Sequence, residues 1–370
     1  MDKYSCERCD KECSQKSHYD SHKKQKTPCK NNADKIKELK EISNINLINE
    51  IPANECGKMQ KPFLKWVGGK TQIIDKIIKK FPKEINNYHE LFLGGGSVLL
   101  ALLSLQAKQK IIIKNKIYAY DINKALIYVY KHIQEHKDEL YNYIEKYITD
   151  YDSINNTITY DNISKEEEKR KKKIIRNPVT LEDAKRYKES YYYWMRNTYN
   201  DSVDKTTIKC AALFMVLNKT CFRGMYREGP NGFNVPYGHY KKTPTIITKE
   251  NLTIISELIK DVEFIHADFS ISIKAPLSGD FVYLDPPYAP INDDSFVGYV
   301  SGGFGLDKHK QLFSSIKDFN TNKIKFAMSN ANVKLVIDSF AGYKCDNIIV
   351  RRAINSKNPG STAKEVIIYN

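Results

Sequence analysis

An apolar run that stops on two prolines and an aromatic, Phe281-Val282-Tyr283-Leu284-Asp285-Pro286-Pro287-Tyr288, constrains this chain more than any other segment. Four apolar residues in succession read as a strand buried on both faces of a sheet. Two consecutive prolines cannot donate to a strand ladder, so the chain must leave the sheet at Asp285. In an open α/β sheet that carboxyl edge is where ligands bind. A carboxylate, a carbonyl with no competing N–H and an aromatic face are displayed there together.

Upstream, Glu90-Leu91-Phe92-Leu93-Gly94-Gly95-Gly96-Ser97-Val98 reads as a strand that breaks into glycines and then enters an apolar helix. Such a loop lets backbone N–H groups approach a ligand closely. Lys116 to Asn123 follows as a second strand ending in Asp121, and an acid at that position is placed to hold ribose hydroxyls. Together they point to an adenosine-containing cofactor. The Asp-Pro-Pro-Tyr group suits methylation of an exocyclic amine whose lone pair is delocalised into its ring. Asp285 and the Pro286 carbonyl can each accept one N–H, which favours a pyramidal nitrogen aimed at a methyl donor. Tyr288 would stack on the base once flipped from a duplex.

Composition bears on the partner. Lys and Arg total 59 against 44 Asp and Glu, a net charge of +15, which fits a polyanion. Apolar residues make up 41% of the chain, yet none of the runs reaches the roughly 18 residues of a membrane span, and the charged amino terminus lacks an apolar signal region. The expectation is an intracellular, cytoplasmic chain with no membrane partner.

Four of the eight cysteines fall in the first 29 residues, while Cys56, Cys210, Cys221 and Cys345 are scattered and read as buried or free thiols. Cys6 and Cys9 are spaced C-x2-C, and twelve residues separate Cys9 from His22. That register fits a ββα zinc finger, with Tyr4, Cys13 and Tyr19 at its small core positions. After six intervening residues, Cys29 completes a CCHC-type set, Cys6, Cys9, His22 and Cys29, for a structural zinc. The expected organisation is a finger over 1–30, a polar linker over 31–60 and a catalytic body over 61–370.

These motifs, in this order, resemble the Dam family of DNA adenine-N6 methyltransferases over roughly 61–370. Pro62 to Lys70 (PFLKWVGGK) is similar to the family's amino-terminal cofactor motif, and Phe92 to Gly96 to its F-x-G-x-G loop. Asp268-Phe269 resembles the pair that holds the cofactor adenine. Phe326 to Asn330 and Arg351 to Asn370 resemble the closing strands. The resemblance implies a doubly wound, mostly parallel α/β sheet with a helical and β-hairpin recognition subdomain inserted at about 141–260. It implies S-adenosylmethionine held by Trp66, Lys70, Phe92, Gly94, Gly96, Asp121, Asp268, Phe269 and Asp285, with Asp285, Pro286, Pro287 and Tyr288 catalytic. Leu217 to Lys241 is similar to the hairpin of enzymes that methylate GATC in double-stranded DNA. On that likeness Arg227 reads a guanine and Lys65 contacts the first guanine. Phe222 intercalates, with Arg223 standing beside it where a small polar residue is expected, and Met225 and Pro236 touch thymine.

Cytosine N4, adenine in RNA, or a silent DNA-binding module remain open beside this reading. An oxidoreductase is disfavoured by the missing G-x-G-x-x-G. Restriction–modification, replication or repair marking and viral genome modification all use such a catalyst.

Overall fold

The computed structural model describes residues 59–155, 173–290, 303–351 and 362–370, together with residues 4–5, 12–13, 18 and 21 near the amino terminus. The chain divides into two compact units, Met1–Ala53 and Asn54–Asn370.

In the first unit, Tyr4–Ser5 pairs antiparallel with Glu12–Cys13. His18 and Ser21 are helical. Cys6, Cys9, His22 and Cys29 themselves lie outside the described residues, as do the linker over 31–58 and most of the lysine-rich run from Lys165 to Arg176.

The second unit is organised on a seven-stranded sheet. Its strands in chain order are β1 (Tyr88–Glu90), β2 (Ile117–Asp121), β3 (Val262–His266), β4 (Phe281–Leu284), β5 (Lys325–Ala331), β6 (Lys344–Arg351) and β7 (Thr362–Tyr369). They lie side by side in the order β3-β2-β1-β4-β5-β7-β6. Pairing from β3 across to β5 is parallel, and β7 slots antiparallel between β5 and β6. The expected mostly parallel α/β sheet is therefore present. All four residues of β4 are buried, which is why its sequence is continuously apolar rather than alternating.

Helix α1 (Ser97–Ala107) follows β1, and eight of its eleven residues are buried. Its one internal polar side chain, Ser104, is satisfied: its hydroxyl donates to the Leu100 carbonyl at 2.7 Å and accepts from Gln60 N–H at 2.9 Å. Helix α2 (Lys124–Glu135) follows β2 and is capped by Asn123, whose side chain accepts from Leu126 N–H at 3.0 Å. Between α2 and β3 the chain makes α3 (Lys137–Asp152), α4 (Lys188–Asp201), α5 (Ile208–Thr220) and α6 (Lys249–Ile259). Helix α5 packs against α2, α3 and α4. A long α7 (Leu306–Thr321) precedes β5.

Strand order reverses at β1, which has β2 on one side and β4 on the other. Tyr283 of β4 is level with Glu90 of β1, so both strands run out at the same height. The crevice beyond their carboxyl ends is the topological switch point, where a doubly wound sheet accommodates a ligand. Of the scattered cysteines, Cys210 and Cys221 are buried free thiols and Cys345 is an exposed one. No described helix is long and apolar enough to cross a membrane.

Candidate active site and base-reading surface

At the carboxyl end of β1 the chain turns through Gly94 and Gly96, both left-handed with φ of 50° and 66°. A Cβ on Gly94 would stand 2.9 Å from the Trp66 ring, and one on Gly96 would meet the Tyr130 hydroxyl. Only glycine fits where this loop passes. Asp121, at the end of β2, accepts Gly94 N–H at 2.9 Å and Asn123 N–H at 2.8 Å, which ties the loop to the neighbouring strand. Burial nonetheless pushes the Asp121 carboxyl up. The buried Tyr130 hydroxyl has no hydrogen-bond partner among the described residues. A side-chain-free loop, an orphaned hydroxyl beside it and an acid at the strand end form a donor and acceptor set that fits an adenosine-bearing ligand. Phe92 stands half-exposed at this edge and stacks on Phe269 at 6.0 Å, which is itself buried in the core. Asp268 caps the short turn that carries Phe269, accepting Ser270 N–H at 2.9 Å.

Asp285 follows β4 directly across the crevice. A salt bridge from Lys70 Nζ reaches its Oδ2 at 2.8 Å, and the same ammonium lies 4.8 Å from the centre of the Tyr288 ring. Burial pushes the Asp285 carboxyl up to about 6, against the pull of Lys70; Glu365 adds to the rise. The Tyr288 hydroxyl donates to Glu365 Oε2 at 2.7 Å. Ala289 N–H, just beyond, donates to the buried Asn330 Oδ1 of β5 at 3.1 Å. Beside these, Glu90 is wholly buried, accepts the Tyr88 hydroxyl at 2.7 Å and is raised to about 8 by burial, with Asp285 adding to the rise.

Trp66 and Lys70, both read from the sequence as cofactor contacts, thus occupy different places. Lys70 is in the Asp-Pro-Pro-Tyr group, whereas the Trp66 ring covers Gly94 and Gly95 and stacks on Tyr226 at 5.3 Å. Three side chains of the site carried no role in the sequence reading: Glu365, Asn330 and Glu90. Each sits in a strand that also carries other polar residues, so nothing along the chain set it apart.

The residues assigned to DNA converge on one surface. After α5 the chain makes a turn at Phe222–Gly224 and a short hairpin, Glu228–Gly229 paired with Gly232–Phe233. Phe222 N–H donates to the Pro236 carbonyl at 2.8 Å, bringing these two together, and 41% of Phe222 is exposed, as an intercalating side chain requires. Arg223 adopts φ 58° and lays its guanidinium 5.2 Å from the Phe222 ring. Arg227 is exposed, and its guanidinium is held against Asn234: Nε donates to Asn234 Oδ1 at 2.7 Å and Nη2 to the Asn234 carbonyl at 3.5 Å. Met225 is half-buried and Pro236 exposed. Lys65 joins them because its backbone exchanges two hydrogen bonds with the Asn218 side chain, at 2.9 and 2.8 Å. Gly224 passes so close to Lys65 that a Cβ there would lie 2.6 Å from the lysine Cβ. A cavity of about 420 Å³, lined among others by Lys65, Trp66, Gly95, Arg223 and Gly224, connects this surface with the glycine loop.

With this geometry in hand, similarity to known proteins is informative. Residues 66–180 and 167–354 match the family described as D12 class N6 adenine-specific DNA methyltransferase. The chain is 35% identical over 306 residues to a type II methyltransferase, M.MjaIII, of Methanocaldococcus jannaschii, an alignment covering 80% of this chain and 93% of that protein. It is 28% identical to the type II methyltransferase M1.LlaDCHI of Lactococcus lactis subsp. cremoris, over 84% of this chain and 95% of the other. Identity to a DNA adenine methylase of Haemophilus influenzae is 27%, over 82% and 91% of the two chains.

Proposed function

The chain belongs to the D12 class of N6 adenine-specific DNA methyltransferases, and from that premise we propose that it methylates adenine within GATC in double-stranded DNA, acting on a base flipped into the crevice at β1 and β4. The observation that carries this reading is the Asp285 carboxylate. It is half-buried, held near 6 and, among the described residues, bonded by the Lys70 ammonium, so it keeps capacity to accept hydrogen bonds from an amine. S-adenosylmethionine, when bound, supplies the methyl carbon and takes back the carbon–sulfur electron pair. Asp285 and the Pro286 carbonyl accept hydrogen bonds from the two amine N–H groups and draw the nitrogen lone pair out of the ring, and the methylated nitrogen releases one proton to Asp285. Pro287 holds the turn rigid, and Tyr288, fixed through its hydroxyl by Glu365, offers its face to the base. Gly94, Gly96, Asp121, Phe92 and the Asp268-Phe269 turn hold the adenosine part of the donor.

The GATC reading rests on the likeness of the hairpin and is supported by the exposure of Arg227 and Phe222 on that segment. Arg227→Ala is expected to cost roughly 1–3 kcal/mol at one guanine position and relax specificity there. Equal losses on every DNA would make Arg227 a phosphate contact. At the amino terminus we assign a structural zinc to Cys6, Cys9, His22 and Cys29, in a finger over 1–30 joined to the body by the linker over 31–60. The antiparallel pair that brackets Cys6 and Cys9 supports this. The wild-type protein is expected to carry one equivalent of zinc and Cys9→Ser none; undiminished zinc in the variant would remove the finger.

The deciding experiment incubates the protein with labelled S-adenosylmethionine and mixed-sequence DNA, then maps methylated bases. N6-methyladenine confined to GATC is expected. Methylation at another adenine sequence would discard the specificity and keep the chemistry. DNA binding without transfer would overturn the catalytic reading.

A further inference from the structure

The Lys70 ammonium stands where the amine of a target base has to stand. It donates to Asp285 Oδ2 at 2.8 Å and lies 4.8 Å from the centre of the Tyr288 ring. Those are the two contacts that methylation asks of an adenine: hydrogens on the carboxylate and a ring against the tyrosine face. An ammonium is suited to both, through charge-assisted hydrogen bonding and cation–π attraction. Lysine and base cannot share the seat, because the side chain is buried and fills it. Nor is Lys70 there by default. Its backbone N–H donates to Ser97 Oγ at 3.1 Å, which anchors it at the first turn of α1, and its ammonium has a second acceptor in the Gly68 carbonyl at 2.5 Å.

Resting on the function proposed above, we propose that Lys70 is a placeholder for the target adenine: it occupies the seat between Asp285 and Tyr288 while no base is present and yields it when one is flipped in, keeping its bond to the Gly68 carbonyl. The groups that face Asp285 are Lys70, Glu365 from β7, Glu90 from β1 and the tyrosines 283 and 288. Among these Lys70 is the cation, and Glu365 opposes ionisation. Lys70 therefore keeps the empty carboxylate charged and ready for an amine. Its bonds are also a threshold: a base enters only when flipping and new contacts outweigh them, which favours a base driven out of the stack by a correctly read duplex.

The test compares wild type with Lys70→Met, a neutral side chain of similar length. The substrate is a duplex carrying the adenine that mapping has shown to be methylated, and S-adenosylhomocysteine occupies the cofactor site without reacting. Permanganate oxidation of the thymine opposite that adenine reads how often the base has left the stack. With the seat vacated, thymine reactivity at saturating protein should rise severalfold. The acid limb of the kcat/KM–pH profile should move up by about 1–3 pH units, since the cation that favoured ionised Asp285 in the free enzyme is gone. Asp285→Asn provides a second reading should Lys70→Met fold poorly. It keeps a carbonyl acceptor for the amine but releases Lys70, so thymine reactivity should again exceed wild type while transfer is lost. Unchanged thymine reactivity in both variants overturns the proposal. So does a Lys70→Met protein with weakened cofactor binding and an unmoved acid limb, which would make Lys70 a cofactor ligand. Failure of the wild type to methylate any adenine would instead overturn the underlying function, before the variants are compared.

Discussion

Strand β4 has an aspartate just beyond each end, Asp280 before it and Asp285 after it, and the two live in opposite electrostatic worlds. Asp280 is 1% exposed and saturated. It accepts Asn86 and Asn87 side-chain N–H groups at 3.1 and 2.8 Å, Asn87 N–H at 3.2 Å and Leu277 N–H at 2.8 Å. His89 Nε2 lies 3.2 Å from its other oxygen, and burial holds that imidazole below its ordinary value, so it acts as a neutral donor. Burial would raise the Asp280 carboxyl, but these donors carry it below the usual range. Among the described residues, Asp285 is bonded by Lys70 alone, and it sits near 6. A saturated carboxylate has spent its acceptor capacity on holding loops to the amino edge of the sheet. An unsaturated one at the carboxyl edge retains capacity for a substrate. The difference separates architecture from chemistry on one strand.

The sharpest way to break this contrast is to truncate both acids. Asp285→Ala should lower methyl transfer on the order of 10³-fold or more while cofactor binding and the melting temperature stay close to wild type. Asp280→Ala should do the reverse. Each orphaned donor costs about 1–3 kcal/mol, so thermal unfolding should move down markedly while transfer per folded molecule persists. Equal stability losses in the two variants would erase the distinction.

A smaller effect concerns Glu90, the second raised acid at the carboxyl edge. The folded protein holds its proton up to about 8, whereas the ordinary value is 4.5. Across that window the folded state binds more protons than the unfolded one, so stability should fall as pH rises from about 4.5 to about 8 and level off above. Glu90→Gln should flatten the decline in a series of denaturant titrations; an unaltered slope would show that Glu90 ionises normally.

The smallest expected change belongs to Glu365. Removing the acceptor of the Tyr288 hydroxyl, as in Glu365→Ala, should weaken use of DNA about tenfold, the worth of one hydrogen bond near 1.4 kcal/mol. Glu365→Gln should restore most of it, and Tyr288→Phe should add nothing to Glu365→Ala. Additive losses in that cycle would mean that Glu365 acts elsewhere.

Much of the site was legible before folding. Asp285 to Tyr288, Gly94 to Gly96 and Asp121 announce themselves because each sits at the end of a strand-like apolar run, where a break in the run is itself the signal. The hairpin residues were legible only as a set. Their convergence with Lys65 depends on Asn218 and Gly224, which carry no chemistry of their own. Lys70, read by motif as a cofactor contact, reaches Asp285, a partner the motif did not name, since a sequence motif records neighbours along the chain and not which way a long side chain reaches. Glu365 was invisible as a partner of Tyr288, 77 residues away.

By itself, then, the sequence determined the local chemistry: which backbone turns need glycine, where a strand must stop, which carboxylate and which aromatic ring are presented together. These are encoded in contiguous runs because backbone conformation is dictated by sterics between near neighbours. The tertiary structure alone decided which acid is saturated and which is left wanting, and which side chains guard it. Those outcomes depend on the insertion of β7 beside β5 and on the docking of the Lys70 loop against α1. Long-range packing sets both, and packing sets the desolvation and charge partners on which the reactivity of a carboxylate rests.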